Sequence, residues 1–464
     1  MTQQHVSFNA FEMPSVGHMA HGLWVHPEDQ RYRFNDLDFW LEEARLLEEG
    51  LFDSVFFADS PAIKDDFADG IGISLREAMQ APLNDPLLII AAMATVTEHL
   101  GFISTSSTTY EHPFSFARRA STLDHLTKGR FGWNIVTSQS NSAAKNYGLN
   151  GQIEHDERYR IADEYMEVVY KLWEGDWADD AVRLDRVNRV YADPARVRYT
   201  DHHGKHFQVR GPHVSTPSIQ RTPALFQAGS SSTGQAFGAK HAEGMFVAGK
   251  TLDQYRSAVQ HIRRLVVENG RRPDHVKVYA SAVVIVDATT ERAQAKADLY
   301  RTLASEDAYT AHFSSQIGID ISSLPRDADY RKALEKYGPP GLAEAQTSGA
   351  FATTLRTVQD AIDNSKRFDQ TPFFVVGTAT EVADKIEQWV DYTGLDGFNL
   401  RQFITPETIR DFVEYVVPEL QKRGRYRSSY ETSTLREHMF GAGHQRLFDE
   451  HPASAYRQRP VISQ

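Results

Sequence analysis

No cysteine occurs among the 464 residues, which excludes a disulfide framework, a thiolate metal site and a thiol nucleophile, and leaves the redox compartment unread. Basic residues are not in excess: 50 Lys and Arg against 62 Asp and Glu give a net charge of -12, which argues against a nucleic-acid surface. No uninterrupted apolar run reaches membrane-spanning length. The start, MTQQHVSFNAF, lacks the basic residues and long apolar stretch of a signal peptide, so a soluble, cytoplasmic protein is expected. Internal repeats and low-complexity tracts are absent beyond an alternation of strand and helix patterns. The length suits one large barrel with insertions, or two domains.

That alternation favours a parallel sheet. Strands are expected at Val6 to Phe11, Ser54 to Ala58, Gly101 to Ser107, Arg130 to Val136, Ala224 to Ala228, Gly244 to Val247, Val276 to Val286 and Gly397 to Phe403. Helices are expected at Leu37 to Glu49, Pro86 to His99, Pro113 to Leu126, Gly234 to Ala242, Leu252 to Asn269 and Pro406 to Gln421. Another is read from the apolar spacing of Tyr159, Ala162, Tyr165, Met166, Val169 and Leu172 and is ended by Gly175. Eight strands, each followed by a helical segment, is the count of a (β/α)8 TIM barrel. Two stretches interrupt it as insertions, about 176–220 and 288–374, and a polar extension, 423–464, is expected to wrap the surface or a partner subunit.

Barrel chemistry sits at the carboxyl ends of strands. There the sequence places His18, Asp59, Thr105, Ser107, Asn134, Thr137, Ser138, Gln139 and the serines Ser230, Ser231 and Ser232. Hydroxyls and amides dominate, and strong acids and bases are few. Such a set suits holding a large polar cofactor better than hydrolysing a bond. AGSSSTGQAFGAKHA, from Ala228, offers backbone N–H groups to a phosphate at a helix start, or is an ordinary serine-rich cap. It is not a P-loop, because Gln235 stands where the lysine must be. GIGISL at Gly70 lacks the third glycine of a dinucleotide fingerprint and follows no strand. Asp201, His202, His203 and His206 have metal-ligand chemistry but read as a solvated loop, so no metal is expected.

In order along the chain stand NAFEM and GHMAHGLW (Asn9 to Trp24), NDP (Asn84 to Pro86), TTYEHPFSFARRASTLDHLTKGR (Thr108 to Arg130), WNIVTS (Trp133 to Ser138), EHDERY (Glu154 to Tyr159), SIQRTPALFQAG (Ser218 to Gly229) and VVPELQKRG. With these motifs the chain resembles the bacterial-luciferase-like flavin monooxygenases. The branch is that of nitrilotriacetate, dibenzothiophene-sulfone, dimethyl sulfide and long-chain alkane monooxygenases, the last two being nearest.

The resemblance implies an enzyme that takes reduced FMN (FMNH2) from a separate NAD(P)H:FMN reductase. With O2 as co-substrate, a flavin C4a-(hydro)peroxide would insert one oxygen atom into a small apolar organic compound: a sulfide, sulfone, halogenated aromatic or alkane. It implies that Asp59, Thr105, Ser107, Asn134, Thr137 and Ser138 surround the isoalloxazine and ribityl chain, and that Tyr159, Ser230 and Ser231 hold the phosphate. His18, Gln80, Gln139 and His312 fall near the substrate, with His18 or His312 positioning or protonating the peroxide. Ser15 stands where the alkane and sulfide enzymes carry cysteine. Gln139 and Lys64 stand where the alkane enzyme has histidine and tyrosine, a changed pocket on the same scaffold. A homodimer or homotetramer is implied. The alternatives are a deazaflavin (F420)-dependent hydride-transfer enzyme on the same barrel and a non-catalytic flavin-binding relative.

Overall fold

Period-two alternation decides which side chains enter the barrel. In strand one, Ser7–Glu12, Asn9 and Phe11 point inward, while Phe8 and Ala10 pack outward on the helix layer. The computed structural model describes residues 5–68, 70–338, 342–343 and 355–458. Strands two to eight are Ser54–Phe57, Gly101–Ser107, Phe131–Val136, Ala224–Gln227, Gly244–Phe246, Lys277–Val286 and Gly397–Arg401. Each pairs in parallel with the next, and strand eight pairs with strand one, which closes an eight-stranded barrel. The eight expected strands are these eight, with ends shifted by at most two residues.

Aromatic rings fill the interior: Phe56 lies 5.6 Å from Phe11 and 4.9 Å from Phe246, between ring centroids. Outside, the helices bury apolar stripes, as where Tyr165 and Trp173 meet Phe116 and Trp133.

The C-terminal extension corrects the expectation of a surface wrap. Its helix, Leu435–Phe440, plugs the amino-terminal end of the barrel with Leu435 and Met439, beside Ile103, Phe226 and Tyr279. Glycines make room for it: a Cβ on Gly101 would stand 2.6 Å from Leu435 Cδ1, and one on Gly132 2.9 Å from Leu435 Cδ2. Arg436 is buried with it, donating to Glu243 at 2.7 and 3.0 Å and to the Thr222 carbonyl at 2.9 Å. A segment poor in apolar residues thus places two of them, Leu435 and Met439, at the amino-terminal end of the barrel. On both sides of the plug it runs over the helix layer, where Arg425 pairs with Asp391 at 2.7 Å and Arg457 with Glu174 at 3.0 Å.

Of the insertions, 176–220 forms two short hairpins, with strands Val182–Asp185 and Val190–Ala192, then His202–His203 and Gln208–Val209. The second, 288–374, carries helices Thr290–Leu303, Glu306–Ile317, Tyr330–Tyr337 and Val358–Ser365. Much of its GPPGLAEAQTSG middle lies outside the described residues. It ends in a strand, Phe373–Gly377, which pairs among the described residues only with strand seven, outside the closed barrel, and is followed by helix Ala379–Thr393. Neither was expected.

Between strand one and helix Leu37–Glu49, the carboxylates of Glu12 and Glu43 share one amide donor, Gln402 Nε2, which reaches Glu43 Oε1 at 2.5 Å. Burial raises both carboxyls, Glu43 to about 7, so the folded pair holds a proton that the unfolded chain releases near 4.5. The stability this pair contributes is complete below pH 4.5 and is lost as pH rises through about 7. Glu43→Gln is expected to flatten that segment of the stability profile, read as wild type minus variant in urea unfolding midpoints. A difference constant with pH would contradict the shared proton.

Candidate active site

The carboxyl ends of strands two to four form a polar wall. Thr105 Oγ1 donates to the Phe57 carbonyl at 2.8 Å and accepts from Asn134 Nδ2 at 2.9 Å. Ser138, at φ 52°, turns the chain off strand four and donates from Oγ to Ser107 Oγ at 2.9 Å. Asn134 Oδ1 is buried without a hydrogen-bond partner, an acceptor awaiting a donor. Asp59, Thr105, Ser107 and Ser138 line one cavity of about 180 Å³ together with Asp85 and Tyr110. Burial, and then the neighbouring Asp85, push Asp59 up to about 6.

Next to this wall, on the strand-five side, lies a cradle of small residues. Helix His155–Tyr170 brings Arg158 and Tyr159 to it, its start capped by the Glu154 carboxylate. The Tyr159 hydroxyl is hydrogen-bonded among Ser231, Thr137 and Gln227. Ser231 caps helix Ser232–His241, its Oγ accepting from Gly234 N at 3.0 Å. A Cβ on Gly229 would stand 2.3 Å from Gln227 Nε2 and 3.0 Å from Gly234 Cα, and one on Gly234 2.6 Å from the Tyr159 hydroxyl. Only glycines allow strand end, helix start and phenol to approach so closely. Arg158 Nη1 donates to the Thr137 carbonyl at 3.4 Å, and its buried Nε has no partner. Helix start, phenol, serines and guanidinium together favour a phosphate-sized anion.

A third group gathers above strand one. The His18 ring stands edge-on to Phe11 at 4.5 Å, and Gln80 Nε2 donates to the His18 carbonyl at 3.1 Å. Helix Glu306–Ile317 lays His312 against His21, with ring centroids 4.7 Å apart, and Tyr309 lies 4.9 Å from His21. Lys64 Nζ is 3.5 Å from His312 Nδ1, and Gln316 Nε2 is 2.9 Å from His312 Nε2. Burial lowers all three histidines, His21 to about 3, which leaves them neutral at physiological pH. Burial also lowers Lys64, to about 8, and lowers Arg401 at the end of strand eight.

The residues singled out from sequence thus fall into three adjoining groups. Asp59, Thr105, Ser107, Asn134, Thr137 and Ser138 line the wall, Tyr159 and Ser231 the cradle with Ser230 exposed at its rim, and His18, Gln80 and His312 the cluster. Gln139 stands apart, solvent-exposed in the loop after strand four. Ser15 is buried and its Oγ donates to the Gly17 carbonyl at 3.2 Å. Sequence reasoning missed His21, Arg158, Gln227 and Arg401. The signals available were the His18-x-x-His21 spacing, the neighbour of Tyr159, and a charged residue at an inward position of strand eight.

The loop histidines do not converge. His202 is buried between Lys171, at 3.0 Å, and Glu164, at 3.3 Å, whereas His203 is exposed beside Asp201 and His206 lies 3.6 Å from Glu157. Among the described residues, no helix is long and apolar enough to cross a membrane.

Comparison with known proteins agrees with this architecture. The luciferase-like monooxygenase family matches residues 18–397. The long-chain alkane monooxygenase of Geobacillus thermodenitrificans (strain NG80-2) is 47% identical over 453 residues, 97% of this chain and 98% of that protein. The dimethyl-sulfide monooxygenase of Hyphomicrobium sulfonivorans is 43% identical over 99% of this chain and 95% of its own length. A crystal structure of riboflavin lyase with modified FMN and riboflavin superposes with a TM-score of 0.91 at 36% identity, covering 98% of this chain and 100% of that one. The coenzyme F420-dependent tetrahydromethanopterin reductase of Methanopyrus kandleri shares the fold alone, at 16% identity and a TM-score of 0.53. The family match covers most of the chain and the relatives share its full length, and the chain belongs to the luciferase-like monooxygenase family.

Proposed function

We propose that this chain is the oxygenase of a two-component system, receiving reduced FMN from a separate NAD(P)H:FMN reductase and oxygenating a small organic compound with an apolar body. The observation that carries this reading is the join between wall and cradle. A buried acceptor without a partner, Asn134 Oδ1, and a cationic, glycine-lined cradle at Arg158, Tyr159 and Ser231 meet at Thr137, on adjacent strands. These donors and acceptors fit a flavin mononucleotide with its ring edge at Asn134 and Thr105 and its phosphate in the cradle. Bound reduced FMN supplies two electrons for activating O2, so that one oxygen atom enters the substrate and the other leaves as water.

The chain's own residues bind, orient and exclude water. Asn134 and Thr105 would hold the ring, Ser107 and Ser138 the ribityl hydroxyls, and Arg158, Tyr159, Ser230 and Ser231 the phosphate. His18 and His312, held neutral by burial, would donate or accept a single hydrogen bond at the reacting oxygen, with Gln80 fixing the loop that carries His18. Gln139, exposed, would meet substrate at the entrance. His18→Ala and His312→Ala are each expected to lower product formed per NADH roughly tenfold or more, with hydrogen peroxide released instead. Coupling unchanged in both variants would contradict the role.

Anaerobic titration with photoreduced FMN tests the cofactor. One FMN per chain is expected, with weaker binding of F420. Preference for F420 would favour hydride transfer on the same barrel.

A further inference from the structure

The mouth of the barrel holds two cations, neither of them in an ion pair. Lys64 lies on the loop after strand two, and Arg401 ends strand eight, inward-facing like Asn399 and in register with Phe11. Among the described residues, neither has a carboxylate within the 4.0 Å of an ion pair. Lys64 Nζ touches His312, and Arg401 Nη1 donates to Thr371 Oγ1 at 2.9 Å, while Arg401 Nε is buried with no partner.

Asp66 is the acid that acts on Lys64, and its charge offsets only part of what burial costs the ammonium. Asp66 accepts from Ser315 Oγ at 3.0 Å, Asp65 accepts from Ser142, and Asp29 pairs with Arg31 at 2.9 Å. His21 and His312 lie near both cations and His18 near Arg401, all three are uncharged, and burial pushes the Tyr309 phenol up to about 12. Holding two cations in so enclosed a place without an ion pair is costly, and the cost is relieved when an anion completes the set. The phosphate cradle at Arg158 is a separate place, on helix His155–Tyr170.

We infer that the substrate is an organic anion, a carboxylate or sulfonate with an apolar body, whose acidic group is held by Lys64 and Arg401. Phe11, edge-on to His18, heads the aromatic interior on which the apolar body would rest. This deepens the monooxygenase reading and rests on it, since the anion is taken to be what is oxygenated.

The test is calorimetric binding of hexanoate, hexane-1-sulfonate and hexan-1-ol to flavin-free protein, with FMN binding followed separately by fluorescence. Both anions are expected to bind roughly tenfold or more tighter than the alcohol. Lys64→Met should remove that preference and leave the alcohol unchanged, and Lys64→Arg should restore it; Arg401→Met provides a second removal. Equal binding of the three probes, or an anion preference that survives Lys64→Met, would overturn the assignment. A loss in Lys64→Met confined to reduced FMN would assign the cations to the flavin and overturn it equally. If the anion preference holds but FMN does not bind, it is the flavin reading that fails.

Discussion

Arg436→Met is expected to destabilise the protein by about 3–5 kcal/mol, because it leaves Glu243 charged, buried and unpaired. Both side chains are 0% exposed, and Arg436 also ties the Thr222 and Gln445 carbonyls to the plug helix. Against a typical total of about 5–15 kcal/mol, that is a large share of the fold's margin. The double variant Arg436→Met with Glu243→Leu should recover much of the loss, since it removes both charges rather than one. Urea unfolding of the three proteins measures this. A loss under about 1 kcal/mol in the single variant would mean that Glu243 finds water or another donor, and that the tail does not seal the barrel as described.

Arg158→Gln should weaken FMN binding by roughly 10- to 100-fold, the worth of a hydrogen bond to a charged group. Riboflavin, which lacks the phosphate, should bind the variant as it binds wild type. The contrast separates loss of a phosphate contact from damage to the ring site, which would weaken both ligands. Tyr159→Phe should act in the same direction with smaller effect, because the ring stays packed 5.5 Å from Phe237 and only the hydroxyl is lost. Fluorescence titration with both flavins measures all six affinities. Equal losses for FMN and riboflavin in Arg158→Gln would move the phosphate away from this cradle.

The eight barrel strands were legible because each is a short apolar run followed by polar residues, with a helix pattern behind it. The wall was legible for the same reason: Thr105, Ser107, Asn134 and Ser138 sit where those runs end. Strand Phe373–Gly377 was missed because its apolar run FFVVG straddles the end assigned to the second insertion. The capping box Thr378 to Glu381 nonetheless marks the next helix start. The plug was not legible, because Leu435 is set against Gly101 and Gly132 only by the folded barrel. Nor was the cationic cluster, in which residues 64, 312 and 401 converge from a loop, an inserted helix and the last strand. Spacing carries no information about such contacts; an inward charge on strand eight was their single local trace.

The most direct measurement of the central claim is aerobic turnover under 18O2 with FMN, NADH and a flavin reductase, against alkanes, sulfides, sulfones, halogenated aromatics and their carboxylate and sulfonate derivatives. The account predicts a product carrying one atom of 18O, formed only when the reductase is present. Conversion that proceeds without O2, or a product whose new oxygen comes from water, would contradict it.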